Sequence, residues 1–150
     1  MSTSIDQNLK RLFSLENKVV LLTGAAGGIG GVLAEGFASV GAAVALCDLN
    51  DEKMNLISER IKNNSGTASC YHLDIADMSG IKRCVQAVIG DYGRIDVLVN
   101  CAGINVREGF LDVEESTYDR IMNINLKGMY FLSQEVAKHM MQNRKGNILK

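Results

Sequence analysis

A glycine-rich segment and a carboxylate beyond it are the first residues whose types and spacing suggest a chemical role. The segment TGAAGGIG (residues 23–30) carries Gly24, Gly28 and Gly30, and Asp48 follows twenty residues after Gly28. Glycine lets the chain turn sharply off a strand and lets the backbone approach a diphosphate, whose charge then faces the N–H groups of the next helix. A carboxylate at this spacing is typical of one that binds both ribose hydroxyls of an adenosine. These residues therefore predict a dinucleotide site.

The same residues indicate which dinucleotide would bind. Asp48 would repel a 2′-phosphate, and the first basic residue after it is Lys53, so the sequence favours NAD over NADP. The pattern is TGxxxGxG rather than GxGxxG, because Leu33 stands where a third glycine would fall after Gly28 and Gly30. The alternative is a purely structural glycine turn, with Asp48 capping the helix that follows.

The segments that must position these residues alternate between strand and helix patterns. Short apolar runs predict strands at 19–22, 43–48, 67–74 and 95–100, and a fifth that begins in GNILK (146–150). Helical spacing of apolar residues predicts helices at 29–41, 51–64, 77–90 and 114–144. Strands that alternate with helices imply right-handed βαβ units, and hence an α/β fold whose parallel sheet is covered on both faces.

Composition and charge argue against several other functions. The 150 residues have a net charge of -1, with acidic and basic residues well mixed, so neither nucleic acid nor an anionic membrane is an expected partner. The uncharged run 19–34 is interrupted by glycine and too short to span a membrane. The four cysteines form no zinc pattern, so no metal is expected, and scattered reduced thiols indicate the cytoplasm. They are Cys47, Cys70, Cys84 and Cys101.

Five motifs, in order, make the sequence resemble a short-chain dehydrogenase/reductase over nearly all of residues 15–150. They are TGAAGGIG (23–30), Asp48, LDIAD (73–77), NCAGI (100–104) and INLKGMYFLSQ (124–134). The resemblance implies a Rossmann-type, doubly wound parallel sheet of strand order 3-2-1-4-5, truncated here after about five strands. It also implies hydride transfer between NAD and an alcohol or ketone. Residues 105–140 look most like gluconate 5-dehydrogenase and related sugar-acid or polyol enzymes.

The resemblance assigns the adenosine and diphosphate contacts of the cofactor. Asp74 and Ile75, after the third strand, would bind the adenine ring. Asp74 has an alternative role as a helix cap. The cofactor contacts in and near the glycine segment would be Gly24, Gly28, Ile29, Gly30 and Asp48.

The resemblance also assigns residues after the fourth strand and on the long helix. Asn100 would hold the central strand, and Ala102 and Gly103 would lie against a ribose of the cofactor. Cys101 stands where the family usually has a second asparagine, which predicts different local hydrogen bonding. Asn125 would be the catalytic asparagine, holding a water in a proton relay. An asparagine in the middle of a helix has low propensity and needs some such reason.

The catalytic Tyr-x-x-x-Lys pair and the serine of the family have no counterpart in these 150 residues. We therefore expect residues 18–150 to be an incomplete cofactor-binding domain, preceded by an N-terminal arm at 1–17, and we expect this chain alone to be inactive. His72 and His139 are expected to be structural. None of the tyrosines has a lysine four residues later; they are Tyr71, Tyr92, Tyr118 and Tyr130.

Two other functions fit parts of the sequence. A non-catalytic nucleotide-binding or interaction module would account for the glycine segment and for the missing catalytic pair. A methyltransferase that binds S-adenosylmethionine would account for the glycine turn and Asp48, but not for NCAGI or INLKG. An edge strand at 146–150 and apolar residues on more than one face of the long helix predict that the chain associates or dissolves poorly, and that the whole enzyme is a homo-oligomer.

Overall fold

The computed structural model describes residues 12–150, which form a parallel sheet with helices on both faces. The strands are β1 (Val19–Thr23), β2 (Ala43–Asp48), β3 (Thr67–His72), β4 (Val97–Val99) and β5 (Asn147–Leu149). The helices are α1 (Gly28–Ser39), α2 (Asp51–Asn63), α3 (Met78–Tyr92), α4 (Glu115–Met122) and α5 (Met129–Asn143). A π-helical turn (Asn123–Gly128) joins α4 to α5.

The strands lie in the order β3-β2-β1-β4-β5, and every neighbouring pair is parallel. This arrangement confirms the predicted fold class and strand order. After β3 the chain crosses to the other side of β1, so the winding direction reverses beside the central strand. Open α/β sheets bind ligands at such a reversal, outside the carboxyl ends of the strands. β3 and β5 are the two edge strands, and the residues of β5 are exposed.

Alternate strand residues enter two separate core layers. Leu21 and Leu98 pack on the side covered by α3 and α5. Val20 and Val44 pack on the side covered by α1 and α2. Burial on both faces explains why the strands are near-continuous apolar runs rather than alternating ones.

Two predicted strands, the third and the fourth, are longer than the strands of the structure. β3 ends at His72, before the end predicted for it, and β4 occupies only part of its predicted range of 95–100. In both cases the apolar pattern continues beyond the strand, because the flanking residues also contribute to the core. Leu73 is 5% exposed and Ile95 is 2% exposed.

The helix predicted at 114–144 corresponds to α4, the π-helical turn and α5 taken together. Its inner face carries Leu132 and Val136, which are fully buried. Its outer face leaves Leu126 and Met141 exposed, which matches the second apolar face predicted from the sequence. The sequence pattern did not show the π-helical turn.

The N-terminal arm predicted at 1–17 lies largely outside the described residues, which begin at Leu12. Within the described part, the N–H of Leu15 donates to the carbonyl of Val40 at 2.8 Å, and the Leu15 side chain packs against the core layer beside α1. This part of the arm is therefore attached to the domain. From residue 12 onwards, no helix combines the length and the apolar character that crossing a membrane requires.

Candidate dinucleotide-binding site

A cleft of about 240 Å³ opens at the carboxyl ends of β1, β2, β3 and β4. Parallel strands all end at this edge, so loops far apart in sequence meet here. The predicted cofactor contacts that line the cleft are Gly24, Asp48, Asp74, Ile75, Ala102 and Gly103. The other predicted site residues lie outside this lining; they are Gly28, Ile29, Gly30, Asn100 and Asn125.

The glycines of the turn after β1 serve different steric purposes. Gly24 has a φ of +67°, and a Cβ there would come within 2.8 Å of the Ala102 backbone. A Cβ at Gly30 would overlap the carbonyl group of Gly24. A Cβ at Gly28, in contrast, would have no atom within 4 Å. Gly24 and Gly30 therefore shape the turn, whereas Gly28 leaves open space at the start of α1.

The amino end of α1 is open to an anion. Its N-cap residue is Gly27, no side chain caps the helix, and its first turn contains no acidic residue. The N–H groups of a first turn have no partners within the helix, and the helix dipole places partial positive charge there. Ile29, in the same turn, is 73% exposed. Helix ends of this kind bind phosphate groups in other proteins.

Asp48, the last residue of β2, has both carboxylate oxygens held by backbone N–H groups. Oδ2 accepts from Ala26, in the glycine turn, at 3.1 Å, and Oδ1 accepts from Asn50 at 3.0 Å. The cap of α2 is a different residue, Asn50, whose Oδ1 accepts from the N–H of Lys53 at 3.0 Å. The helix-capping alternative for Asp48 is therefore wrong. The carboxylate is instead oriented between two loops at the cleft.

Asp74 orders the loop after β3. Its Oδ1 accepts from the N–H of Ala76 at 2.8 Å. The cap of α3 is Asp77, whose Oδ1 accepts from the N–H of Ser79 at 2.9 Å. The alternative that Asp74 caps this helix is thus wrong as well, and its neighbour Ile75 lines the cleft.

Thr23, which the sequence interpretation missed, connects the turn after β1 to the loop after β4. Its hydroxyl accepts from the N–H groups of Cys101 and Ala102, both at 3.2 Å, and donates to the Val99 carbonyl at 3.4 Å. Thr23 is 1% exposed. The one feature of the sequence that could have indicated this role is the position of Thr23, at the end of an apolar strand and directly before the glycine turn. Cys101 takes part through its backbone, so this contact does not depend on its side chain.

Asn100 ties β4 to β5 and α5. Its Nδ2 donates to Ser133 Oγ at 3.1 Å and to the Leu149 carbonyl at 3.3 Å, and its backbone N–H donates to the same carbonyl at 3.0 Å. Its Oδ1 is buried and has no hydrogen-bond partner among residues 12–150. Asn100 therefore holds the base of the loop that carries Ala102 and Gly103.

Asn125 lies in the π-helical turn and holds the loop after β4. Its Oδ1 accepts from the N–H of Ile104 and its Nδ2 donates to the carbonyl of Ile104, both at 2.8 Å. A Cβ on Gly103 would lie 3.4 Å from Oδ1. These two hydrogen bonds give a structural reason for an asparagine inside the long helix. The water-holding role implied by the resemblance stays a prediction.

Cys47 lines the cleft beside Asp48, and its thiol is buried in the core layer. Its Sγ lies 3.7 Å from the Sγ of Cys84 on α3. The hydrogen bond to Cys84 and burial raise the pKa of the Cys47 thiol, whereas the same hydrogen bond lowers the pKa of Cys84. Cys47 therefore remains a neutral thiol at neutral pH and adds no negative charge beside an anionic ligand.

A second groove lies on the outer side of the long helix. It encloses about 740 Å³ along α4, the π-helical turn and the start of α5, and it is lined by residues such as Leu126 and Tyr130. None of the predicted site residues lines it. The cleft at the strand ends, where the candidate residues converge, is the better candidate for chemistry.

Comparison with known proteins agrees with the geometry of the cleft. A family model described as short chain dehydrogenase matches residues 18–150. The chain belongs to the short-chain dehydrogenase family. This family assignment confirms the resemblance drawn from the five motifs.

Two relatives show how much of a family member's length the chain covers. The 3-oxoacyl-(acyl-carrier-protein) reductase of Thermotoga maritima is 38% identical over 135 residues, which are 90% of this chain and 55% of that protein. The 5-keto-D-gluconate 5-reductase of Escherichia coli is 33% identical over 138 residues, which are 92% of this chain and 54% of that protein. The chain thus spans about half the length of these curated relatives.

A solved structure extends the comparison to three dimensions. A metagenomic short-chain oxidoreductase in complex with NADP superposes with a TM-score of 0.86 at 32% identity, covering 89% of this chain and 61% of that one. The family therefore includes members that bind NADP, and family membership by itself does not favour NAD over NADP.

Proposed function

We propose that this chain is the cofactor-binding part of an NAD-dependent oxidoreductase, which transfers a hydride between NAD and an alcohol or ketone. The observation that carries the proposal is the carboxylate of Asp48, oriented at the cleft and linked by one hydrogen bond to the glycine turn. A carboxylate accepts hydrogen bonds from the two ribose hydroxyls of the NAD adenosine. It would repel the 2′-phosphate of NADP.

The residues around the cleft fit a dinucleotide in an extended arrangement. The diphosphate would lie at Gly28, where the amino end of α1 is open. Asp74 and Ile75 would bind the adenine, and Ala102 and Gly103 would lie against a ribose. Bound NAD supplies the hydride acceptor, and the residues of this chain bind and orient it.

Proton transfer to or from the substrate oxygen requires groups that these 150 residues lack. The family resemblance implies a tyrosine followed four residues later by lysine, and none of the four tyrosines has that partner. Asn125 would contribute by positioning Ile104 and by holding a water in the relay. We therefore expect this chain to bind NAD without oxidising an alcohol.

Substrate, assembly and location belong to the same proposal. The name of the Escherichia coli relative, 5-keto-D-gluconate 5-reductase, supports a sugar-acid or polyol substrate. The exposed apolar residues of the long helix support a homo-oligomer. The four free cysteines support a cytoplasmic location, and the near-neutral charge supports neither nucleic acid nor membrane as a partner.

A non-catalytic nucleotide-binding or interaction module is the second candidate. The absence of a Tyr-x-x-x-Lys pair from the 150 residues is the observation that favours it. Such a module would unfold cooperatively by itself, whereas NAD binding would raise the unfolding midpoint of either candidate. A broad unfolding transition, together with binding of a dye to exposed apolar surface, would instead favour the incomplete oxidoreductase domain.

Calorimetric titration of the 150-residue chain with NAD and NADP tests the cofactor assignment. We expect NAD to bind more tightly, and Asp48→Asn to raise the Kd for NAD about tenfold, because a hydrogen-bond acceptor of the ribose is weakened. Asp51→Asn is the matched control, since Asp51 is exposed and contacts His72 rather than the cleft. Equal binding of NAD and NADP by the unaltered chain, or equal effects of the two substitutions, refutes the assignment.

Incubation of the purified chain with NAD and a panel of polyols and sugar acids tests the expected inactivity. We expect no NADH absorbance to develop above a control without protein. Clear turnover by the 150-residue chain would show that another group replaces the tyrosine and lysine, and the argument from their absence would fail.

A further inference from the structure

The π-helical turn contacts both loops that flank the nucleotide cleft. Asn125 binds the backbone of Ile104, after β4, through two hydrogen bonds of 2.8 Å. Gly128 packs against Ile75, after β3. Ile75 and Ile104 both line the cleft, and β2 and β1 lie between their two strands in the sheet. One helical turn therefore spans the cleft from one side to the other.

The contact between Gly128 and Ile75 leaves no room for a side chain. Gly128 is buried, and a Cβ there would overlap the Ile75 carbonyl oxygen and lie 2.9 Å from Ile75 Cγ1 and 3.0 Å from its carbonyl carbon. Two of these three atoms are backbone, so they cannot rotate aside as the end of a flexible side chain can. A methyl group at residue 128 must therefore displace either the helix or the loop.

Either displacement would alter the cleft. If the helix moved, the two hydrogen bonds from Asn125 to Ile104 would lengthen. If the loop moved, Ile75 would leave its place in the cleft lining. Because Asn125 and Gly128 lie in the same turn, a movement of the helix changes both contacts. A π-helical turn within an α-helix is itself frequent at functional sites, since it reorients the residues that it carries.

We propose that Gly128 is a positioning residue that sets the width of the nucleotide cleft, by allowing the π-helical turn to contact Ile75 while Asn125 holds Ile104. The inference rests on the proposed function, because the ligand whose affinity it controls is NAD. Gly128 does not line the cleft itself. It acts through the position of Ile75.

The test compares Gly128→Ala with Gly90→Ala in the 150-residue chain. Both substitutions add one methyl group to a helical glycine, but a Cβ at Gly90 would have no atom within 4 Å. We expect Gly128→Ala to raise the Kd for NAD about tenfold, since a tightly packed contact must open, and Gly90→Ala to leave it unchanged. The Kd is measured by calorimetry where circular dichroism shows each variant to be folded, and urea unfolding is measured beside it.

The outcomes separate the inference from the proposed function. A Gly128→Ala chain that unfolds at lower urea but keeps the Kd of the unaltered chain has lost only stability, and the inference is overturned. Failure of the unaltered chain to bind NAD refutes the proposed function itself, and the inference with it.

Hydrogen exchange of the unaltered chain provides a second test that does not depend on the folding of a variant. We expect NAD to increase amide protection together in three segments: 73–77, 103–105 and 123–128. Protection confined to the glycine segment, 23–30, overturns the inference, because the π-helical turn would then be independent of the bound dinucleotide.

Discussion

Replacement of Thr23 by valine should measure what the link between the β1 and β4 loops contributes to stability. Valine keeps the shape of threonine and removes the hydroxyl, which leaves the N–H groups of Cys101 and Ala102 without their shared acceptor. An unsatisfied buried group costs about 1–3 kcal/mol. Two N–H groups lose their acceptor, but each costs less than the full amount, because Cys101 and Ala102 are only half-buried. We therefore expect a loss of about 2–3 kcal/mol in the free energy of unfolding.

Thr23→Ser is the matched variant, because it keeps the hydroxyl and loses one methyl group. We expect it to cost about 1 kcal/mol from the lost packing. Urea unfolding followed by circular dichroism gives both values, and a titration with NAD shows whether loosening Ala102 also weakens binding. If valine and serine lower the free energy of unfolding equally, the hydroxyl does not stabilise the loop and its assigned role is wrong.

Three further substitutions test other parts of the structure. The buried carboxylate of Asp96 accepts a hydrogen bond from the N–H of Val19 at 2.9 Å. Asp96→Asn should therefore lower the free energy of unfolding in urea by about 2 kcal/mol. An unchanged urea midpoint would contradict this. Burial and the Asp91 carboxylate raise the pKa of Tyr71. The unfolded chain therefore ionises first and stability falls above about pH 10, the ordinary tyrosine pKa. Tyr71→Phe should flatten that fall, and an equally steep fall would contradict the assignment. Leu126, 51% exposed on the long helix, is expected to promote association; Leu126→Asp should lower the mass measured by light scattering, and an unchanged mass would argue against this face.

The strands and helices could be predicted because their signals are local. Continuous apolar runs such as VVLL at 19–22 indicated strands buried on both faces, and the helical spacing between 114 and 144 indicated the long helix. The ends of β3 and β4 could not be placed in this way, because Leu73 and Ile95 are buried but lie outside the strands. The hydrophobic pattern of a sequence indicates which side chains are buried. The bounds of a strand depend instead on which backbone groups form hydrogen bonds with the neighbouring strand.

The structure also decided between alternatives that the sequence left open. Asp48 and Asp74 each precede a helix, and capping was a reasonable explanation for both. Side-chain hydrogen bonds show that Asn50 and Asp77 cap those helices instead. Which of several nearby polar side chains reaches the free N–H groups of a helix depends on the loop geometry, and spacing in the sequence does not specify that geometry.

The sequence by itself determined the family, the parallel sheet, the glycine turn and the carboxylate at Asp48, because each rests on short motifs and on their spacing along the chain. The tertiary structure alone decided how the cleft is held. Thr23 meets Ala102 across 79 positions, and Gly128 meets Ile75 through a contact that only a glycine permits. These contacts depend on the register of the strands and on the approach of the long helix. Both are consequences of packing the whole domain, and no short segment encodes them.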